Sequence, residues 1–114
     1  MKSLERLQRQ HQRSLVQFGD ERESHWMARV LDLLEVRRWT LRYHTYDSTK
    51  SVAGFPDIIA LRLDRGLALE CKTEHARPAR PEQRAWLDGF ARIPGFVARE
   101  IRPSDWPWLM EVTV

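Results

Sequence analysis

Two apolar runs near the middle of the chain are separated by only two residues, Arg65 and Gly66. The first run spans residues 55–64 and the second spans residues 67–73, and both are rich in apolar residues bounded by turn formers, as strands are. Runs this close pair as an antiparallel hairpin, so we predict a turn at Arg65-Gly66 and two adjacent strands. The rest of the fold must then be built around this hairpin as the centre of a sheet.

The sequence before the hairpin predicts two helices and a strand. Apolar residues recur at helical spacing in residues 1–18, beside a stripe of arginines, so a short amphipathic helix is expected there. Asp20 is a suitable N-cap for a second helix, which should run to about Arg38. Residues 39–46 are rich in β-branched and aromatic types and predict a strand, and the polar residues 47–54 predict a loop.

The sequence after the hairpin predicts a helix, a strand and a final short helix. Residues 74–81 are too rich in proline for regular structure, and Pro81 suits the first turn of a helix that continues to about residue 93. Residues 96–103 predict a strand, and Ser104 or Asp105 caps a terminal helix. The predicted order is helix, helix, three strands, helix, strand and helix, which indicates an α/β fold with a central sheet flanked by helices.

The length and composition of the chain predict one compact domain with a basic extension. The chain has 114 residues, and 42% of them are hydrophobic, which is typical of a globular protein. Residues 1–18 carry four basic residues against one acidic residue, whereas residues 19–114 contain 15 of each. We therefore predict a basic amphipathic arm over residues 1–18 and a domain over residues 19–114. A net charge of +3 permits a nucleic-acid partner without requiring one.

The sequence also restricts the compartment and the kinds of metal site. The only cysteine is Cys71, which excludes an intramolecular disulfide and a multi-cysteine zinc cage. The first residues lack the apolar stretch of a signal peptide, and no apolar run is long enough to cross a membrane. We expect a cytoplasmic protein, bacterial or in a phage-infected cell, with no membrane partner.

Three residues of the hairpin form a candidate catalytic group. Because side chains alternate along a strand, Glu70 and Lys72 share one face and Cys71 lies on the other, as a packed thiol rather than a nucleophile. Asp57 begins the preceding strand, so the hairpin can bring its carboxylate beside Glu70. Two carboxylates suit Mg²⁺ or Mn²⁺, and Lys72 suits the activation of water or the binding of phosphate. Taken alone, the same three residues are better interpreted as a surface ion pair beside a proline turn, and the flanking motifs reverse this preference.

Several ordered motifs resemble the VRR-NUC group of PD-(D/E)xK nucleases. They are Gly54-Phe55-Pro56-Asp57, Glu70-Cys71-Lys72, and Pro81-Glu82-Gln83-Arg84-Ala85-Trp86-Leu87, with weaker similarity in Tyr43-His44-Thr45, Asp47-Ser48, Lys50-Ser51 and residues 102–106. The resemblance covers roughly residues 21–112. Two positions depart from the family pattern, because Met27 stands where many relatives have glutamine and Arg38 where many have glycine.

The resemblance implies a fold and a set of site residues. The fold would be a restriction-endonuclease-like PD-(D/E)xK core, with a mixed central sheet flanked by helices. Glu23, Asp57 and Glu70 would bind Mg²⁺ or Mn²⁺, with Glu21 a less favoured register for the first of them. Lys72 would act in catalysis and Gln83 would assist. The alternative interpretation of Gln83 is a solvent-facing helix residue with no role in the site. The alternative interpretation of Glu23 is a charge that stabilises the N-terminus of a helix.

The implied activity is a metal-dependent endodeoxyribonuclease. Small stand-alone members of the group resemble resolvases of Holliday junctions, which act as homodimers because two symmetric incisions need two active sites. Branched DNA and a homodimer are therefore expected, with flap or single-stranded DNA as alternative substrates. Two alternative hypotheses assign no catalytic activity to this fold. In one the protein is a DNA-binding module, and in the other it is an assembly protein of a phage particle.

Residues outside the catalytic group are candidates for contact with DNA. Phosphate contacts are expected from the loop before Asp57 and from the arm, through Ser48, Lys50, Ser51, Arg6, Arg9 and Arg13. A dimer contact through the leucines of the arm and a solvated helix are the two alternatives for this segment. His44 is a possible general acid or phosphate contact, although a lone histidine in a strand is more often structural. The spacing of Trp39, Trp86, Trp106 and Trp108 favours packing over stacking on bases.

Overall fold

A computed structural model describes residues 2–14, 21–45 and 50–114. Its elements follow the predicted order and form a mixed α/β fold in which helices flank a four-stranded sheet. The elements are α1 (Leu4–Ser14), α2 (Glu23–Val36), β1 (Leu41–His44), β2 (Ile58–Arg62), β3 (Arg65–Cys71), α3 (Pro81–Ala91), β4 (Phe96–Ile101), a 3-10 turn (Pro103–Asp105) and α4 (Trp106–Val112).

The sheet has the order β1-β2-β3-β4. The first three strands form an antiparallel meander, and β4 pairs with β3 in parallel after the chain crosses over through α3. The predicted hairpin is therefore central, as β2 and β3 are the two inner strands. This mixed sheet confirms the coarse fold prediction.

The predicted hairpin turn at Arg65-Gly66 is wrong by two residues. Arg62 pairs with Arg65, so the turn is formed by Leu63 and Asp64, with Leu63 at a positive φ of 54°. Gly66 lies inside β3, where a Cβ atom would approach the ring of Phe96 to 2.5 Å. The glycine thus serves the close contact between β3 and β4 rather than the turn.

The hydrophobic core lies between the sheet and helices α2 and α4. Its residues are buried and form one cluster, which contains Leu7, Trp26, Val30, Leu33, Leu34, Trp39, Ile58, Ala60, Leu67, Leu69, Cys71, Ile101, Trp106 and Leu109. Helix α3 packs on the opposite face of β3 and β4. Strand β3 is consequently buried on both faces, which explains how its alternate residues serve a core on one side and a polar site on the other.

Helix α2 ends in a Schellman motif at Arg38. The N–H of Trp39 donates to the carbonyl of Leu34 at 2.9 Å, and the N–H of Arg38 donates to that of Glu35 at 3.0 Å. Arg38 has φ 66°, in the left-handed region that glycine adopts most readily. A glycine is therefore the favoured residue at this position.

Helix α1, the described part of the predicted arm, is attached to the domain by a buried polar cluster. Arg29 in α2 makes two 2.8 Å bonds to the carboxylate of Glu21 and contacts Nδ1 of His11 at 2.9 Å. The guanidinium group also lies over the rings of Trp26 and Trp106. Since Arg29 donates, Nδ1 of His11 must accept, and burial beside this cation lowers the pKa of His11 to about 4.

In the described ranges, no helix is long and apolar enough to cross a membrane.

Candidate active site

The candidate site lies where β3 ends, on the face of the sheet that α3 covers. Glu70 points to this face and is 4% exposed, while Cys71 points to the core and is fully buried, as predicted. The backbone N–H of Lys72 donates to the carbonyl of Ile101 at 2.9 Å, which extends the parallel pairing by one residue. The backbone under Glu70 and Lys72 is thus held by β2 on one side and β4 on the other.

Asp57 reaches the end of β3 from the adjacent strand. Its Oδ2 accepts a hydrogen bond from the backbone N–H of Cys71 at 2.8 Å, between the two residues of the predicted pair. The pairing of Ile58 with Leu69 places Asp57 next to Glu70, and the charge of Asp57 raises the pKa of Glu70. Two neighbouring carboxyl groups in a buried site favour a shared proton or a cation. The predicted convergence of Asp57, Glu70 and Lys72 is therefore present in the structure.

Gln83 connects the carboxylate to the lysine. Its Nε2 donates to Oε2 of Glu70 at 2.7 Å, and its Oε1 accepts from Nζ of Lys72 at 3.2 Å. The same oxygen accepts the backbone N–H of Arg80 at 2.9 Å, which caps the start of α3. Because both groups at Oε1 are donors and the group at Nε2 is an acceptor, the amide has one satisfactory orientation. Gln83 is buried rather than solvent-facing.

Gly54 determines where the first turn of α3 can lie. It has φ 80°, and a Cβ atom there would lie 2.5 Å from the carbonyl carbon of Glu82 and 2.8 Å from the backbone nitrogen of Gln83. The segment that leads into Asp57 therefore packs directly against the backbone that carries Gln83. A side chain at residue 54 would separate the two halves of the site.

Burial and mutual repulsion dominate the electrostatics of the site. Burial, and then the charge of Asp57, raise the pKa of Glu70 to about 8, and Lys72 opposes this only in part. Burial likewise raises the pKa of Asp57, against the N–H of Cys71 and the charge of Lys72. Burial also raises the pKa of the Cys71 thiol well above its usual range. The carboxyl pair therefore retains a proton near neutral pH when no cation is bound.

One carboxylate oxygen indicates that the site suits a cation. Oε1 of Glu70 is buried and has no hydrogen-bond partner, which is costly for a carboxylate oxygen and is relieved by a metal ion. Asp57 and Glu70 are the side chains that would hold Mg²⁺ or Mn²⁺, with water and substrate completing the shell. Within the described ranges, no group of three histidine, cysteine, aspartate or glutamate side chains has metal-binding geometry.

Glu23 lies close to the carboxyl pair without joining it. It is the first residue of α2, and it is exposed overall. Partial burial of its carboxyl group and the charge of Asp57 raise the pKa of Glu23, and its own charge in turn raises that of Glu70. Glu21, the alternative register, is instead bound to Arg29 in the buried cluster. Of the two residues, only Glu23 has a carboxylate that is open to a ligand at the site.

The other predicted contacts are spread around the site. Lys50 is exposed and Ser51 is half-buried in the segment that leads to Asp57, while Ser48 lies outside the described residues. His44 ends β1 opposite Ile58. Arg6, Arg9 and Arg13 are exposed along α1. The predicted packing role of Trp39 and Trp106 is confirmed, since both are buried.

Sequence reasoning missed the side chain that supports the segment after Lys72. Nη1 of Arg102 donates to the carbonyls of Thr73 at 2.7 Å, Glu74 at 3.2 Å and Ala76 at 2.9 Å. Glu100 accepts the backbone N–H of Ala79 at 2.7 Å. The carbonyls of a proline-rich segment have no partners in a helix or sheet, so a side-chain donor close to them could have been predicted from the sequence.

Comparison of the chain with protein-family models, with curated proteins and with solved structures finds no match. The interpretation of the site therefore depends on its own geometry and chemistry.

Proposed function

We propose that the protein is a metal-dependent nuclease that hydrolyses phosphodiester bonds of DNA. The observation that carries the proposal is that Asp57 and Glu70 are neighbours on paired strands, with Oε1 of Glu70 buried and left without a hydrogen-bond partner. An ammonium group lies beside this pair, because Lys72 and Glu70 are both bound to the amide of Gln83. A buried carboxyl pair that needs a cation, next to a fixed ammonium group, suits phosphate chemistry.

The residues of the site divide the work between binding and proton transfer. A bound Mg²⁺ or Mn²⁺ would supply Lewis-acid stabilisation of the charge that develops on the phosphate. Asp57 and Glu70 would hold the cation, with Glu23 as the third carboxylate of the proposed metal site. Lys72 orients the attacking water or neutralises a phosphate oxygen. Gln83 keeps the carboxylate and the ammonium group in a fixed relation.

The order of elements around the site supports a PD-(D/E)xK nuclease fold. The carboxylates and the lysine come from an antiparallel hairpin, and the glutamine comes from the helix that follows it. That helix leads to a strand parallel to β3. Within this proposal, the substrate is branched DNA cut by a homodimer, and flap or single-stranded DNA is the alternative. Lys50, Ser51 and the exposed arginines of α1 are proposed phosphate contacts.

Cleavage assays with matched variants test the proposal. Purified protein is incubated with linear duplex, single-stranded, flap and four-way-junction DNA in Mg²⁺, Mn²⁺ or EDTA. We expect cleavage that EDTA abolishes and that Asp57→Asn and Lys72→Ala reduce by at least about a thousandfold. Asp88→Asn and Lys2→Ala, which change exposed residues of the same types away from the site, should cleave at the wild-type rate.

The outcome separates an enzyme from a binding module. Far-ultraviolet circular dichroism checks that each variant is folded, and fluorescence anisotropy in EDTA measures DNA binding. Wild-type protein that binds DNA but never cuts it in either metal would support the non-catalytic reading. Full cleavage by Lys72→Ala would show that the lysine has no role in the reaction. A solution mass that stays monomeric at all concentrations would count against the resolvase reading.

A further inference from the structure

A groove of about 290 Å³ lies between α2 and the edge strand β1. One wall is formed by a stripe of α2 at helical spacing, and the other by the end of β1, with lining residues Ser24, Met27, Ala28, Leu31, His44 and Thr45. The helical wall is mostly apolar, and polar side chains lie around it. Such a combination suits a ligand that has flat apolar faces and a polar edge.

Each wall of the groove contains a residue that adjoins a residue of the candidate active site. The backbone N–H of Thr45 donates to the carbonyl of Asp57 at 2.9 Å, so the end of β1 is bound directly to the residue that carries the first carboxylate. On the other wall, Ser24 follows Glu23 in the first turn of α2. A ligand in the groove would therefore be a neighbour of the group that reacts.

Thr45 carries an unsatisfied polar group at this place. Its hydroxyl oxygen is buried and has no hydrogen-bond partner, although the residue lines the groove. A buried hydroxyl without a partner costs free energy that a ligand can recover when its own donor or acceptor reaches it. Met27 contributes an apolar side chain to the same groove.

We propose that this groove binds one unpaired nucleobase of the DNA strand that is cut. The inference rests on the proposed function, because it takes the ligand to be part of the substrate. A nucleobase has apolar faces for Met27 and Leu31 and a hydrogen-bonding edge for the polar wall. In a duplex that edge is paired and both faces are stacked, so only an unpaired base enters the groove. Among the proposed substrates, the enzyme therefore prefers branches, flaps or single strands that have unpaired nucleotides beside the scissile phosphate to a fully paired four-way junction.

The test fills the groove without altering the catalytic group. Ala28 is exposed on α2 and lines the groove, so Ala28→Phe places a ring inside it. Ala91→Phe is the matched control, because Ala91 is exposed at the last residue of α3, opposite to the end that carries Gln83. Circular dichroism and urea unfolding establish that both variants are folded.

Binding is measured in EDTA, where the result does not depend on cleavage. The probe is a short single-stranded oligodeoxynucleotide with one 2-aminopurine, moved along the strand in a set of otherwise identical oligonucleotides. We expect one position at which wild-type protein and Ala91→Phe change the 2-aminopurine emission. Ala28→Phe should abolish that change and weaken binding roughly tenfold, the value of one stacked base.

Cleavage in Mn²⁺ gives the second measurement. An abasic residue at the position found with 2-aminopurine should slow the wild-type reaction roughly tenfold. It should slow Ala28→Phe no further, because the phenyl ring already excludes the base from the groove. Equal binding and equal cleavage by Ala28→Phe and Ala91→Phe would overturn the proposal, as would failure of the wild type to bind the oligonucleotide. Weakened binding by Ala28→Phe without any wild-type cleavage would instead retain the base site and reject the nuclease.

Discussion

Replacement of Glu70 by glutamine separates the catalytic role of this residue from its cost to the fold. The carboxyl group is buried beside Asp57 and accepts a hydrogen bond from Gln83. Glutamine has the same shape as a protonated glutamic acid, so its amide oxygen can still accept from Gln83 while its amide N–H takes the place of the oxygen that has no partner. It cannot ionise, and it is a poor ligand for Mg²⁺. Glu70→Gln should therefore abolish cleavage while it stabilises the metal-free protein.

The size of the stabilisation follows from the pKa of Glu70. Its folded-state value is raised from 4.5 to about 8, so the folded protein holds a proton that the unfolded chain releases. Folding is then weakened as the pH rises from about 4.5 to about 8, and the loss is complete only above that range. The difference amounts to about 3 kcal/mol at pH 7 and is absent below pH 4.5. Asp57 has a raised pKa as well and adds to the same trend.

Urea unfolding in EDTA from pH 5 to pH 9 measures the effect. The lowered pKa of His11 stabilises every variant as the pH rises to about 6.5, so the effect of Glu70 is read as the difference between two curves. Wild-type protein should lose stability relative to Glu70→Gln, so that the two curves separate as the pH rises. Glu111→Gln, which changes an exposed glutamate of α4, should follow the wild-type curve. Added Mg²⁺ at ten times its dissociation constant should restore about 1.4 kcal/mol to the wild type and nothing to Glu70→Gln.

Parallel curves for wild type and Glu70→Gln in EDTA would refute this reasoning. They would mean that the carboxyl group is already ionised at neutral pH and that another group neutralises it. Equal stabilisation of both proteins by Mg²⁺ would refute the assignment of Glu70 as a ligand, because the ion would then bind elsewhere. Neither result would follow from a general loss of structure, since the expected change is a gain in stability.

Three further predictions concern the backbone at Arg38, the backbone at Gly54 and the buried thiol of Cys71. Arg38→Gly should stabilise the protein by about 1 kcal/mol, because φ is 66° there, whereas Arg92→Gly at a C-cap with φ −78° should destabilise it; urea unfolding measures both. Gly54→Ala should cost at least about 2 kcal/mol and slow cleavage, while Gly89→Ala, which meets no atom within 4 Å, should stabilise α3 by about 0.5–1 kcal/mol. Cys71 should react with a thiol reagent only as fast as the protein unfolds, because it is fully buried.

Periodicity predicted the order of the elements well because each signal is local. The alternation of Leu67, Leu69 and Cys71 with Glu70 determined which side chain enters the core and which enters the site. The hairpin turn was misplaced because a glycine next to a charged residue favours a turn, whereas Gly66 is needed for contact with Phe96. That contact joins residues thirty positions apart, and no local pattern reports it.

Side chains with partners far along the chain were the least predictable. Arg29 and Glu21 form a buried ion pair that also holds α1, yet each has the sequence context of an ordinary helix charge. Burial of an arginine is acceptable only when its donors are satisfied, and here a carboxylate, an imidazole and two indole rings do so together. Only the tertiary fold brings these groups together.

Gln83 has more contacts in the structure than its sequence motif predicts. The motif suggested only an assisting role, but the side chain also caps α3 by accepting the N–H of Arg80. A change in the position of this helix would therefore move the amide that holds Lys72 and Glu70. Gly54 packs against the same turn and leads to Asp57, so one backbone contact relates both carboxylates and the lysine. The precision of the candidate site thus depends on the start of α3 as much as on the strand that carries Glu70.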